Sequence, residues 1–358
     1  YEYSPIHLFS RVSTFFGEWG QKLGYFKTNE EREIFEDELK FLQINQMGAF
    51  NSPVYFNAGL YSKYSIAGSP GLNFVRDYET GKVTKVEEGC YIRPQCHACF
   101  IIGPEDNLES ILNHGVTEGG IFTNGSGVGH NLELRAEGES LSSGGKSSGP
   151  MSFFGFYDHL ASTIKSGGKT RRAARMTKMR YHHPDIMKFI RGKVREDYKA
   201  LLLMKAGLEP GFEGEAYTSV KFQNTNLSVR LDDHFFEQLE RGGEVELRYI
   251  KNHKVAEKIS ADQMLKEIAF GSWRIGDPAV QYESKIQEYH TCKNSGLINS
   301  SNPCSEYMFL DNTSCNLASL NLLKFADKKG NINIERYRKA AAIFTIAQDI
   351  ANYAGSYP

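Results

Sequence analysis

Asn299-Ser-Ser-Asn-Pro-Cys-Ser-Glu-Tyr-Met-Phe-Leu-Asp-Asn-Thr-Ser-Cys-Asn-Leu-Ala-Ser-Leu-Asn-Leu322 is the stretch from which the rest of the chain is read. It sets Cys304 and Cys315 around a short polar segment, with Asn302 and Glu306 two residues to either side of Cys304. In an extended segment side chains alternate between faces, so Asn302, Cys304 and Glu306 are expected to point the same way. Such a face would carry an amide donor, a thiol able to hold a radical or exchange electrons, and a carboxylate base. Taken alone, Cys304 reads more readily as a small buried hydrophobe, as most unbridged cysteines are.

The composition excludes several classes of protein. With 358 residues, 40% hydrophobic and 24% charged, the chain can bury one large core or two modest ones. A net charge of -1 leaves no electrostatic footprint for nucleic acid or a membrane surface. No run approaches the length of a membrane-spanning helix, and Tyr1-Glu-Tyr-Ser-Pro5 is not a signal peptide. Six cysteines are too few for a disulfide scaffold, so a reducing, cytoplasmic setting is expected. The chain lacks an initiator Met and stops just after a helical pattern, and is expected to be a piece of something longer.

Residues 1 to about 95 read as a mainly helical lead-in. Asn29 caps a stripe of Ile34, Phe35, Leu39 and Leu42, whereas Asn51-Ser-Pro-Val-Tyr-Phe56 is expected to be extended because proline disfavours helix before it. Cys90, Cys96, His97 and Cys99 invite a zinc or thioredoxin-like reading, but no second ligand pair follows at suitable spacing. A short helix is expected over 106–115. Gly119-Gly-Ile-Phe-Thr-Asn-Gly-Ser-Gly-Val-Gly129 reads next as a loop able to cradle phosphate, although it is neither a Walker loop nor a Rossmann turn. Residues 140–149 read as a mobile loop. Pro150 opens a helix with Phe153, Phe154, Tyr157, Leu160, Ala161 and Ile164 on one face, ended by Gly167-Gly168. Beyond residue 173, strand-like runs (174–180, 225–231, 245–250) alternate with helix-like runs (183–194, 232–241, 260–275), which favours a parallel α/β sheet or barrel. Residues 201–219 read as a surface insertion, and 334–354 as a long helix.

Asn302-Pro-Cys-Ser-Glu306 and Ser314-Cys-Asn-Leu-Ala-Ser-Leu-Asn-Leu322 resemble the active-site loop and following strand of ribonucleotide reductases, most closely the adenosylcobalamin-dependent class. Five further stretches agree in family order: Asn51-Ser-Pro-Val-Tyr-Phe-Asn-Ala-Gly59, Ala98-Cys-Phe-Ile101, Ser166-Gly-Gly-Lys-Thr-Arg-Arg-Ala-Ala174, Phe222-Gln-Asn-Thr-Asn-Leu-Ser-Val229 and Trp273-Arg-Ile-Gly-Asp-Pro278. The resemblance implies replacement of the ribose 2′-OH by hydrogen through radicals. Cys304 would carry the thiyl radical, Glu306 would act as base, Asn302 would hold the sugar hydroxyls, and Cys99 with Cys315 would form the reducing dithiol. Ser52, Ala98 and Gly129 would line the substrate. Asp106, Arg135, Lys169, Arg171 and Arg172 would contact a deoxynucleoside triphosphate effector, with the helix after Asp106 and the aromatic helix forming a dimer bundle.

The implied fold is a helical lead-in (1–95) followed by the first half of a ten-stranded α/β barrel with an inserted active-site loop (96–358). The other half would lie beyond residue 358 or on a second chain, so residues 1–358 alone are expected to be inactive. The implied ligands are adenosylcobalamin, a ribonucleoside diphosphate or triphosphate, and a thioredoxin-like reductant, with no metal, nucleic acid or membrane. Two alternatives stand beside it: the iron- or manganese-dependent class of the family, and a catalytically silent nucleotide-binding regulatory module.

Overall fold

The computed structural model describes residues 2–164, 173–211 and 213–358. These form two compact units. One contains residues up to 98, 124–126 and 314–358; the other contains 99–123 and the described part of 127–313. The terminal segment 314–358 thus joins the helical lead-in, whereas a division at residue 95 would assign it to the strands.

In the first unit, helices Pro5–Lys22, Asn29–Ile44 and Ile334–Ala354 bury Phe16, Leu39, Phe344 and Ile350 in one core. The second helix is capped one residue earlier than expected. Thr28 Oγ1 accepts from the Glu31 N–H at 3.1 Å while Glu31 reaches back to the Thr28 N–H at 3.3 Å, a reciprocal capping box. Phe35, Leu39 and Leu42 are buried as the stripe requires, but Ile34 is exposed. Asn51-Ser-Pro-Val-Tyr-Phe56 is not extended: Ser52–Asn57 is a short helix, because a proline in the first turn breaks no helical hydrogen bond.

The second unit is built on five parallel strands: β1 (Cys99–Ile101), β2 (Gly127–Asn131), β3 (Arg175–Arg180), β4 (Asn226–Leu231) and β5 (Ala279–Tyr282). They lie side by side in chain order. Helices α1 (Leu108–Thr123), α2 (Pro150–Thr163), α3 (Ile186–Lys205), α4 (Asp233–Glu240) and α5 (Ala261–Ile275) lie on the crossovers, with the hairpin Glu244–Arg248/Val255–Ser260 between α4 and α5. This is the βα alternation read from the sequence, although the supposed insertion at 201–219 is partly the end of α3.

The glycine-rich segment is not a phosphate loop. Gly119 and Gly120 belong to α1, and Gly127 and Gly129 belong to β2. Glycine serves close packing instead: a β-carbon on Gly115 would stand 3.2 Å from the Phe156 ring, and one on Gly119 3.1 Å from Ile164. In 140–149, Ser140 bridges to Lys146.

The register sorts the strand residues by face. Leu227, Val229 and Leu231 of β4, Met179 of β3 and Val280 of β5 turn toward the helices, where they join Phe154, Phe189 and Phe235. Pairing of Lys178 with Ser228, Arg180 with Arg230, and Gln281 with Arg230 places these polar residues together on the other face. Cys99 opposite Gly127 and Gly129 opposite Met176 continue that face. In β4 and β5 the sheet is apolar toward its helices, whereas Arg175, Thr177 and His130 form a buried polar network on that face against α1, and the reverse is largely polar or bare.

Two glycines supply opposite expectations. A β-carbon on Gly129 would fall 1.6 Å from the Ser301 carbonyl oxygen, whereas one on Gly155 within α2 would meet nothing within 4 Å. Gly129→Ala is expected to destabilise by roughly 1–3 kcal/mol or more through overpacking. Gly155→Ala is expected to be neutral or to stabilise by about 0.5–1 kcal/mol through helix propensity. Urea unfolding of the two variants checks both.

Candidate active site

A hairpin covers the polar face of the sheet. Its strands are Ser300–Ser301 and Met308–Phe309, and its turn carries Asn302, Cys304 and Glu306. The Ser305 N–H closes the turn on the Asn302 carbonyl at 3.1 Å, and Ser305 takes a left-handed φ of 65°. Because the segment is a turn, the expected alternation fails. Asn302 is fully buried, while Cys304 and Glu306 are exposed.

Asn302 is held from several directions. Its N–H donates to the Tyr307 carbonyl at 2.9 Å, and its Oδ1 accepts from the Tyr307 N–H at 3.0 Å. Its Nδ2 donates to Cys99 Sγ at 3.6 Å, within reach for a sulfur acceptor. The structure thus joins Asn302, Cys99 and the turn of Cys304 in one cluster. The preceding residue, Pro303, packs over Gly127, and its carbonyl accepts from Asn226 Nδ2 at 2.9 Å.

Glu306 lines a groove of about 530 Å³ with Tyr282, Tyr289, His290, Ile298 and Phe309. Cys315 lies in the first unit at the end of strand Thr313–Cys315, its carbonyl accepting from the Ala98 N–H at 3.0 Å. Ser52 and Ala98 also belong to the first unit, and Gly129 to the second. Among the described residues no disulfide is formed.

Asp106 and Arg135 meet directly: Arg135 Nε donates to Asp106 Oδ2 at 2.7 Å and Nη2 to the Asp106 carbonyl at 3.0 Å. Lys169, Arg171 and Arg172 lie outside the described residues.

Sequence reasoning missed the groups beneath the hairpin. Arg230 and Gln281 reach its strands, and a charged row continues through Glu283, Arg180, Glu133 and Lys178. Burial works to raise the Glu133 carboxyl, but Lys178 and Arg180 outweigh it and hold the group far below its ordinary range. Burial lowers Lys178 to about 7 despite Glu133. The available signal was charge inside strand-like runs, Lys178 and Arg180 two apart in one and Arg230 between Val229 and Leu231 in the next.

Two other groups of residues carry metal-ligating side chains. Cys96 is buried, which pushes its thiol up to about 12. His114, Glu118 and His130 have ligand atoms within 4.8 Å of one another. The Arg175 guanidinium stands on that cluster, 2.8 Å from Glu118 and 3.0 Å from His130, and a buried cation there opposes a metal ion.

Residues 97–358 match the family described as ribonucleotide reductase, barrel domain, and the chain belongs to that family. Residues 1–46 match the family described as class II vitamin B12-dependent ribonucleotide reductase, which specifies its class. The chain is 46% identical over 360 residues to the vitamin B12-dependent ribonucleotide reductase of Rhodopirellula baltica, covering all of this chain and 34% of that protein. It is 40% identical to the protein of that name from Streptomyces avermitilis, again over all of this chain and 34% of the relative. The vitamin B12-dependent ribonucleoside-diphosphate reductase of Thermoplasma acidophilum is 32% identical over 74% of this chain. The chain therefore spans about a third of the length of these relatives.

Class II reductases depend on cobalamin, and the residues present fit such a cofactor. The Cys304 thiol is exposed at a turn beside a groove rimmed by aromatic side chains, reachable by a bulky planar group. Among the described residues no helix is long and apolar enough to cross a membrane.

Burial lowers His97 to about 4, while a bond to Asn352 acts in the opposite sense. A base depressed in the folded state contributes stability present above its unfolded value near 6.5 and lost as pH falls toward 4. The loss attributable to His97 is on the order of 3 kcal/mol. His97→Gln is expected to flatten the decline in unfolding free energy between pH 7 and pH 4; a decline as steep as that of wild type would exclude His97 as its source.

Proposed function

We propose that this chain is the catalytic portion of a cobalamin-dependent ribonucleotide reductase, acting in the cytoplasm on a ribonucleoside diphosphate or triphosphate. The observation that carries the reading is the buried Asn302 amide, bonded to Cys99 Sγ at 3.6 Å in the turn that presents Cys304. Relatives named for vitamin B12 favour cobalamin over a metal-radical class, and the intact turn argues against a silent regulatory module.

When bound, the cofactor supplies the radical that the turn receives; the exposed side of Cys304, with Tyr289 and His290 beside Glu306, would hold it. As a thiyl radical, Cys304 removes the 3′-hydrogen of the ribose. Glu306 takes the 3′-OH proton as that radical forms. The 2′-oxygen then leaves as water with a proton from one thiol of the Cys99–Cys315 pair, C2′ takes a hydrogen from the other, and Glu306 returns its proton to the 3′-oxygen. Cys99 and Cys315 supply two electrons and become a disulfide, which a thioredoxin-like protein reduces, while Cys304 returns hydrogen to C3′. Asn302 keeps the sugar hydroxyls in register. Ser52, Ala98 and Gly129 line the substrate.

Regulation is assigned to α1 and α2. Leu108, Leu112 and Val116 recur every fourth residue on α1 and are 63%, 50% and 57% exposed, a stripe suited to a second copy of the chain. Asp106, Arg135 and the 168–172 segment would take the effector there.

The test is product analysis in the full-length protein with adenosylcobalamin, a dithiol and 3′-tritiated substrate. Cys304→Ser is expected to abolish tritium release, since an alcohol is a far poorer hydrogen-atom donor than a thiol. Cys99→Ser and Cys315→Ser are expected to begin 3′-abstraction and end in base release or inactivation. Cys90→Ser, Cys96→Ser and Cys292→Ser should turn over near normally. Tritium release from Cys304→Ser, or full turnover by Cys315→Ser, would sink the assignment.

For the regulatory face, Val116→Asp is expected to shift sedimentation from dimer to monomer. It should also remove a nucleotide-dependent stabilisation of roughly 2.7 kcal/mol at 100 times the dissociation constant. A dimer that persists would show that the stripe is not the interface.

A further inference from the structure

The hairpin that presents Cys304 and the residues leading into it are fastened through main chain and side chains, and Arg230 takes two of the carbonyls, that of Ile298 being shared with Gln287 Nε2 at 2.9 Å. Arg230 of β4 is fully buried. Its guanidinium donates to the Ile298 carbonyl and, at 3.2 Å, to the Ser300 carbonyl. It also donates to Gln281 Oε1 at 3.0 Å and Glu283 Oε2 at 2.7 Å. Carbonyls two residues apart in an extended segment point the same way, so one planar fork can take both. Glu283 neutralises the charge that makes these bonds strong and is itself paired to Arg180 at 3.1 Å.

Gln281 extends the same grip. Its Nε2 donates to Ser301 Oγ at 2.8 Å and to Ser305 Oγ at 3.2 Å, one bond on either side of Asn302-Pro303-Cys304. With Gly129 against the Ser301 carbonyl and Asn226 on the Pro303 carbonyl, every residue from 300 to 303 has a fixed neighbour on the sheet or within the turn. Cys304 is exposed and follows directly on these held residues.

We propose that Arg230 is a positioning residue for the radical chemistry: by holding the Ile298 and Ser300 carbonyls against β4 and β5, it sets where the Cys304 thiol stands relative to the ribose. The proposal rests on the reductase reading for its consequence in catalysis, but its structural content stands apart from that reading. Substrate binding is not assigned to Arg230, so loss of the anchor affects turnover more than affinity.

The experiment uses the full-length protein with adenosylcobalamin and a dithiol, comparing wild type with Arg230→Gln and Arg230→Lys. Reduction kinetics are measured together with amide hydrogen exchange read by mass spectrometry. Misplacement of a reacting group by about 1 Å costs on the order of 100-fold in rate, so Arg230→Gln is expected to lose roughly 100-fold in kcat with KM within about twofold. Residues 298–305 should exchange faster while 227–231 and 279–282 keep wild-type protection. Arg230→Lys keeps the charge but not the fork, and its kcat should lie between the two. Unchanged kcat, or equal loosening of the hairpin and both strands, overturns the proposal. If Arg230→Gln does not fold, Glu283→Gln gives the same reading: faster exchange at 298–305 supports the anchor, and unchanged exchange overturns it. A wild-type protein without turnover counts against the reductase reading, and the exchange measurement then decides the role of Arg230.

Discussion

The carbonyl oxygen of Ser301 occupies the space that a side chain at residue 129 would need. That exclusion lets a hairpin lie directly on the backbone of β2, and the surrounding groups are arranged to match. Gly127 lies under Pro303, Asn226 holds the Pro303 carbonyl, and Cys99 comes within bonding distance of the Asn302 amide. A sheet whose two faces were both apolar could not receive an extended polar segment without stranding its carbonyls. The polar reverse face is therefore a condition for the site as much as a part of it.

That face carries a large electrostatic load. Lys178, Glu133, Arg180, Glu283 and Arg230 alternate in sign across β3, β4 and the chain around them. Such a row costs desolvation, and replacing it with apolar residues need not weaken the fold. What it supplies is geometric specificity: each carboxylate is shared by two cations, so no member can move independently. The second buried network, Arg175 with Glu118, His114 and His130, closes α1 against β2 and β3 on the opposite face. There too burial opposes charge, raising Glu118 to about 7 against the pull of Arg175.

Much of the architecture was legible in the sequence because hydrophobic period and breakers determine it locally. The strand near 226–231, the helix at 334–354 and the alternation between them follow from pattern alone. The misreadings share one cause. Gly119, Gly120 and Pro53 were interpreted by residue type and the 302–306 turn by strand alternation, whereas packing chose among the conformations the sequence permits. Arg230 and Gln281 escaped notice for a related reason. Their spacing was visible, but Arg230 holds backbone nearly 70 residues away in sequence and Gln281 holds hydroxyls 20 and 24 residues away, and no local pattern records so distant a partner.

The capture of Ile298 and Ser300 through their carbonyls has a consequence for how the hairpin tolerates change. A clamp that recognises main chain is indifferent to which side chains those residues carry, provided they fit the enclosed space. Substitutions at Ile298 and Ser300 can therefore accumulate without shifting the turn, whereas Ser301 is held by its hydroxyl as well. The architecture separates the placement of Cys304 from the identity of its approach, so that neighbouring chemistry can diversify around a fixed point.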